Sequence, residues 1–188
     1  MASGAERRLY WGAATVALVL DLLTKALAEQ YLFRSAGHSV IGDVFQLRLV
    51  YNPGAAFGLH LGPFSRWIFM AIAVGAVVLL YRYHRAAAPG DWFRQLSLGL
   101  VSGGAIGNLV DRVRSPRGVV DFLDLGVGGY RWPTFNVADM AVSCGAVLLA
   151  ISLWQEDARR DAQAEPPGRP LPPEPTPPEP VSAARGDE

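Results

Sequence analysis

Four apolar stretches, at residues 9–28, 67–83, 96–113 and 137–154, each approach the roughly 20 residues that a helix needs to cross a bilayer. A chain of 188 residues that spends so much of its length this way has little left for a soluble core. The expected fold class is mainly α: a polytopic membrane protein with four transmembrane helices in one domain over residues 1–156, followed by a disordered tail over 157–188. Composition agrees, since 51% hydrophobic and 18% charged residues fit neither a disordered protein nor an ordinary soluble domain. The 17 basic residues balance 17 acidic ones, so no global field points to nucleic acid or to an acidic ligand.

The first stretch also has features of a cleaved leader, with Arg7 and Arg8 ahead of it and Ala26-Leu27-Ala28 imitating a small-residue cleavage site. Asp21 and Lys25 favour a retained helix, because they stand four apart on one face, where they pair as a structural ion pair turned to a protein interior. Between the first two helices, residues 29–66 are too mixed to span. There Val44-Phe45-Gln46-Leu47-Arg48-Leu49-Val50-Tyr51 alternates as a strand does, and Asn52-Pro53-Gly54 ends it as a turn. A small β element at the membrane surface is expected between helices one and two, with Asn52 at its edge. The next link, around 84–94, is short and basic, and the last, 114–136, is longer and holds Gly126, Gly128 and Gly129. Beyond Trp154 the chain turns charged and then proline-rich over 166–180, with no apolar period, and reads as a solvated tail.

Four spans put both termini on one side. The positive-inside rule identifies that side only weakly: cytoplasmic termini place Arg7, Arg8, Arg82, Arg85, Arg94, Arg159 and Arg160 inside, but leave Arg34, Arg48, Arg66, Arg114, Arg117 and Arg131 outside.

Ionisable residues at membrane depth are costly and are functional candidates for that reason. Connectivity gathers Asn52, Asn108, Asp111, Arg112, Asp121, Asp124, Asn136 and Asp139 at one face of the membrane, since helix three ends and helix four begins there. Asp121 lies in an apolar stretch just ahead of helix four, and Asp139 lies one turn inside it. Two carboxylates held together in a poorly solvated site share a proton, which is the aspartic-protease arrangement. The pattern alone fits helix capping, cation binding or a proton relay equally. Gly99, Gly103 and Gly107 recur every four residues as a smooth stripe for helix packing, or for a homodimer face. His38, His60 and His84 show no metal-ligand spacing, and Cys144, the one cysteine, reads as a small buried apolar residue.

Five segments carry a resemblance to a known family. They are Asp21-Leu22-Leu23-Thr24-Lys25; Tyr51-Asn52-Pro53-Gly54-Ala55-Ala56-Phe57; the block from Gly103-Gly104 through Asn108 to Asp111-Arg112; Val119-Val120-Asp121-Phe122; and Phe135-Asn136-Val137-Ala138-Asp139. In this order, over nearly the whole chain up to Trp154, they resemble bacterial lipoprotein signal peptidase, signal peptidase II. The resemblance implies an aspartyl endopeptidase of the bacterial inner membrane that cuts prolipoproteins before the diacylglyceryl-modified cysteine of the lipobox. It implies Asp121 and Asp139 as the catalytic pair, with Asn52, Asn108, Arg112 and Asn136 as polar supports for substrate or carboxylates. It makes Asp111 and Asp124 lesser candidates. It further implies cytoplasmic termini, an extracytoplasmic site, no metal or organic cofactor, and a monomer partnered by membrane lipid and its substrates. Pro53 and Met140 depart from the family pattern, and the proline-rich tail lies outside it. Readings from other classes are a small proton-coupled transporter using Asp121, Asp139 and Arg112 as relay groups, and a scaffold subunit using the glycine stripe.

Overall fold

The structure, a computed structural model, describes residues 4–32, 37–54, 62–87 and 90–164. Ala55, Ala56, Phe57, His60 and the proline-rich stretch 166–180 lie outside the described residues. The elements are α1 (Gly4–Leu32), β1 (His38–Ile41), β2 (Phe45–Asn52), α2 (Ser65–Ala86), α3 (Trp92–Arg114), β3 (Val119–Val127), β4 (Tyr130–Arg131) and α4 (Val137–Ala164). Residues 1–154 form one compact unit and 155–188 a second, whose described part is the end of α4, where Arg160 pairs with Glu156 one turn away.

Among the described residues three helices, not four, are long and apolar enough to cross a membrane: α1, α2 with its preceding turn, and α4. The exception is α3, and its neighbours explain why. It packs against both α1 and α2. Its buried residues include Gln95, Ser97, Gly99, Ser102, Gly103, Gly104, Gly107 and Asp111. A helix surrounded by helices needs small residues for close approach and can carry polar ones that find partners, whereas a lipid-facing helix must be apolar outside. Accordingly Val16, Val19, Leu20 and Leu23 of α1, and Ile72, Val78 and Leu79 of α2, are exposed.

The glycine stripe is spent inside the molecule. A Cβ on Gly99 or Gly103 would fall within 2.5 Å of the Tyr10 or Ala14 carbonyl oxygen of α1, and one on Gly107 within 2.3 Å of the Asp21 carboxylate. Gly104 meets α4 in the same way, at the Ala138 carbonyl. Backbones therefore touch along α3, and Ala at these positions would force the helices apart.

The β element is larger than the sequence suggests. A four-stranded antiparallel sheet runs in the order β1-β2-β3-β4, so the link between α3 and α4 contributes half of it. Asp121 of β3 stands opposite Val50, and an extra residue in β2 between Leu47 and Val50 makes a bulge beside that pair. Gly118 enters β3 with φ +101°, and a Cβ there would overlap the Asn52 carbonyl, so only glycine lets the two strands close at this end. On its other side β3 exchanges hydrogen bonds with the segment leading into α4: Leu123 N–H donates to Phe135 O and Phe135 N–H to Leu123 O. This pairing brings the start of α4 beside Asp121.

Candidate active site

Asn136 caps α4 and joins the two carboxylates. Its side-chain oxygen accepts the Asp139 backbone N–H at 2.9 Å, and the Asp139 carboxylate accepts the Asn136 backbone N–H at 3.2 Å, a reciprocal capping box. The amide of the same Asn136 donates to the Asp121 carboxylate at 2.7 Å and also to Val120 O and Asn108 Oδ1. One capping residue thus holds the β3 and α4 carboxylates together. From the neighbouring strand β2, Asn52 Nδ2 donates to Asp121 at 3.1 Å, while its Oδ1 accepts Gly54 N–H and so closes the turn after β2. Asn108 of α3 donates to Asp139 at 2.9 Å.

Asp121 is buried, and its carboxyl is pushed up from the usual 3.8 to about 7, chiefly by burial and then by the charge of Asp139, against the lowering effect of the Asn52 and Asn136 amides. Among the described residues neither Asp121 nor Asp139 is in an ion pair. Arg112 lines the same cavity, yet its guanidinium donates to the carbonyls of Asn108 and Gly54. The cavity has a volume of about 740 Å³ and reaches from Asn52, Asn108, Arg112, Asp121 and Asp139 to an apolar end at Trp132, Pro133 and Met140. A buried carboxyl that titrates near neutrality beside a second carboxylate is equipped to hold a proton and hand it on.

Behind this site lies a second polar cluster. Lys25 pairs with Asp21 at 2.7 Å and with Asp111 at 2.9 Å, all three fully buried, and also donates to Asn108 Oδ1 at 2.9 Å. Asp21 accepts the Ala138 N–H of the first turn of α4, and Asp111 accepts the Val120 N–H of β3. Asp111 is therefore a partner of Lys25, and Asp124 is paired with Arg131 at 2.8 Å. The sequence reading had Asp21 and Lys25 as a pair but missed their link through Asn108 to Asp139. The signal was the spacing of Gly104, Gly107, Asn108 and Asp111, which share one face of α3.

Two further residues were not read correctly or at all. Cys144 is exposed and lines the cavity, where a buried position was expected; an apolar run marks contact with lipid as readily as contact with protein. Trp132 has no role in the sequence reading and lines the apolar end.

The family model described as signal peptidase (SPase) II matches residues 13–155. Curated relatives include the lipoprotein signal peptidases of Rhodococcus jostii and Mycobacterium leprae, each 44% identical, over 151 and 149 residues. These alignments cover 78% and 77% of this chain and 72% and 70% of the relatives. Two solved structures, both described as bacterial membrane enzymes determined by the in meso method, are similar with TM-scores of 0.71 and 0.66 at 28% and 30% identity. They cover 79% and 75% of this chain and 88% and 89% of their own.

Proposed function

We propose, from the premise that this chain belongs to the signal peptidase II family, that it is an aspartyl endopeptidase of the bacterial inner membrane. Its substrates are prolipoproteins, which it cuts before the diacylglyceryl-modified cysteine of the lipobox. The observation that carries this reading is the hold of Asn136 on both carboxylates within one cavity.

In this reading Asp121 keeps the resting proton and polarises the scissile carbonyl, while ionised Asp139 takes a proton from the attacking water. Water oxygen bonds to the carbonyl carbon, and collapse of the tetrahedral intermediate sends a proton to the leaving amine nitrogen. Asn52 and Asn136 orient Asp121, Asn108 orients Asp139, and Arg112, fixed on two carbonyls, faces the substrate backbone. Metal and organic cofactors have no part in it.

α3 serves as the fourth span: its 23 residues make a helix of roughly 34 Å, enough to cross a hydrocarbon core of ~30 Å, and its polar side chains have partners inside the molecule. Four spans then leave both termini in the cytoplasm and the sheet and carboxylates at the extracytoplasmic face. The enzyme acts as a monomer.

The test is cleavage of a diacylglyceryl-modified prolipoprotein by purified protein in detergent, comparing wild type with Asp121→Asn and Asp139→Asn. Each variant is expected to fold and to lose about a thousandfold in rate, within the range of general acid–base contributions. Inactive wild type, or full activity in either variant, sinks the reading and returns the relay and scaffold alternatives; charge movement without proteolysis would favour the relay.

A further inference from the structure

The first turns of α1 and the last turns of α2 carry a charge that the carboxylate site does not use. There the two helices meet through their rings: Tyr10 stacks on His84 with centroids 3.9 Å apart, and Trp11 stands 6.3 Å from Tyr81. Tyr10 and His84 are buried, whereas Trp11 and Tyr81 are exposed. Arg7 lies three residues before Tyr10 and four before Trp11, and Arg85 lies four after Tyr81. Each arginine therefore stands one helical turn beyond the exposed pair of rings and on the same face. Arg8 and Arg82 flank them, and all four arginines are exposed.

Among the described residues none of the four is in an ion pair. Two carboxylates at this end are engaged elsewhere: Glu6 is buried and accepts the Gly90 N–H, and Asp91 pairs with Arg94 at 3.8 Å. With Arg94 counted, five arginines stand against these two carboxylates, so the end keeps a positive excess. Below the rings both helices are long and apolar enough to cross a membrane, and their faces continue exposed and apolar at Val19 of α1 and at Val78 and Val74 of α2. Exposed Trp and Tyr on spanning helices sit at headgroup level, and basic side chains between such helices just beyond that level reach anionic headgroups. A ligand matched to cations, then rings, then apolar helix is anionic at one end and apolar along the rest. A soluble anion would engage the arginines alone.

We infer that Arg7 and Arg85, with Arg8 and Arg82 beside them, hold the phosphate of an anionic phospholipid whose chains lie on the shared face of α1 and α2 beneath Trp11 and Tyr81. The planar guanidinium fork matches phosphate oxygens, and its charge separates an anionic headgroup from a zwitterionic one. Such a site needs α1 and α2 to cross the bilayer and takes nothing from the peptidase reading. With the termini in the cytoplasm, it belongs to the cytoplasmic leaflet.

The experiment titrates acyl-matched phosphatidylglycerol and phosphatidylcholine onto the purified full chain in detergent and reads binding by native mass spectrometry. Wild type should prefer phosphatidylglycerol about thirtyfold, from two arginines worth about fivefold each, and Arg7→Gln/Arg85→Gln should bring the two lipids to within about threefold. Arg85→Gln alone should lose about fivefold, which keeps the test open should the double variant not fold. Arg48→Gln/Arg159→Gln, which removes two other exposed arginines from β2 and α4, should keep the wild-type preference. Glycerophosphoglycerol, the headgroup without its chains, should not displace the bound lipid. Wild type that shows no preference overturns the site. Equal losses in the test and control pairs overturn it in favour of diffuse surface charge, and displacement by the free headgroup overturns it in favour of a soluble anion.

Discussion

Two pairs of carboxylates are linked through Asn108 in this protein, and among the described residues only one pair is held by cations. Asp21 and Asp111 close on Lys25, and Asn108 passes from that lysine to Asp139 by turning its oxygen one way and its amide the other. Asp121 and Asp139 are held by amides and backbone N–H groups. An ammonium between two carboxylates satisfies them and fixes three helices and a strand, through Ala138 N–H and Val120 N–H. Amides hold carboxylates in place without neutralising them, so burial and mutual repulsion stay available to raise Asp121 to about 7. Similar residues, set apart by one charge, thus give a fastening in one place and the proposed reactive pair in the other.

The contrast breaks most easily at Lys25. Lys25→Met takes the cation from buried Asp21 and leaves buried Asp111 with Arg114 alone, at 3.3 Å, and removal of one partner from such a group costs about 3–5 kcal/mol. The expected outcome is a large fall in the unfolding temperature of the detergent-solubilised protein. A variant as stable as wild type would show that the cluster is not a fastening. The contrast sharpens at the residue both clusters share. Asn108→Asp keeps an acceptor for Lys25 but replaces the amide facing Asp139 with a second acceptor. Cleavage should fall about ten- to a hundredfold, the worth of a hydrogen bond to a charged group, while the unfolding temperature moves far less than for Lys25→Met. Unchanged cleavage would mean that the amide does not orient Asp139.

Most of this was legible as pattern, and the illegible parts share a cause. The alternation of Val44 to Tyr51 announced β2. β3 was hidden because Val119, Val120, Asp121 and Phe122 are all buried, and a strand covered on both faces shows no alternation. Without β3 the sheet could not be placed, nor could the bulge beside Asp121. In α3 the polar and small residues that make it central are those that lower its apolarity, so it reads less clearly as a span than its lipid-facing neighbours. Cys144 was misplaced for the complementary reason, since in a membrane an apolar position can face outward. The candidate residues themselves stood out as polar groups at helix ends, but the hold of Asn136 on two carboxylates depends on the pairing of β3 with the segment before α4, which no spacing in the chain encodes.

The smallest effect separates the two clusters by sign. Asp121 ionises near 3.8 in the unfolded chain and at about 7 in the folded protein, so between those values the folded state keeps a proton that the unfolded state has lost. The stability this gives is full below about pH 4 and is lost as pH rises to about 7, at up to roughly 1.4 kcal/mol per pH unit. Asp121→Asn cannot titrate and still accepts the Asn136 amide through its own carbonyl. It should therefore unfold at a higher temperature than wild type at neutral pH, and the difference should vanish near pH 4. Wild-type cleavage should run in step, falling about tenfold per unit above pH 7 as the proton on Asp121 is lost. Thermal unfolding of both proteins across that range, beside a wild-type pH–rate profile, measures both. If Asp121→Asn destabilises at neutral pH as Lys25→Met is expected to, then Asp121 is a fastening too, and the distinction between the clusters fails.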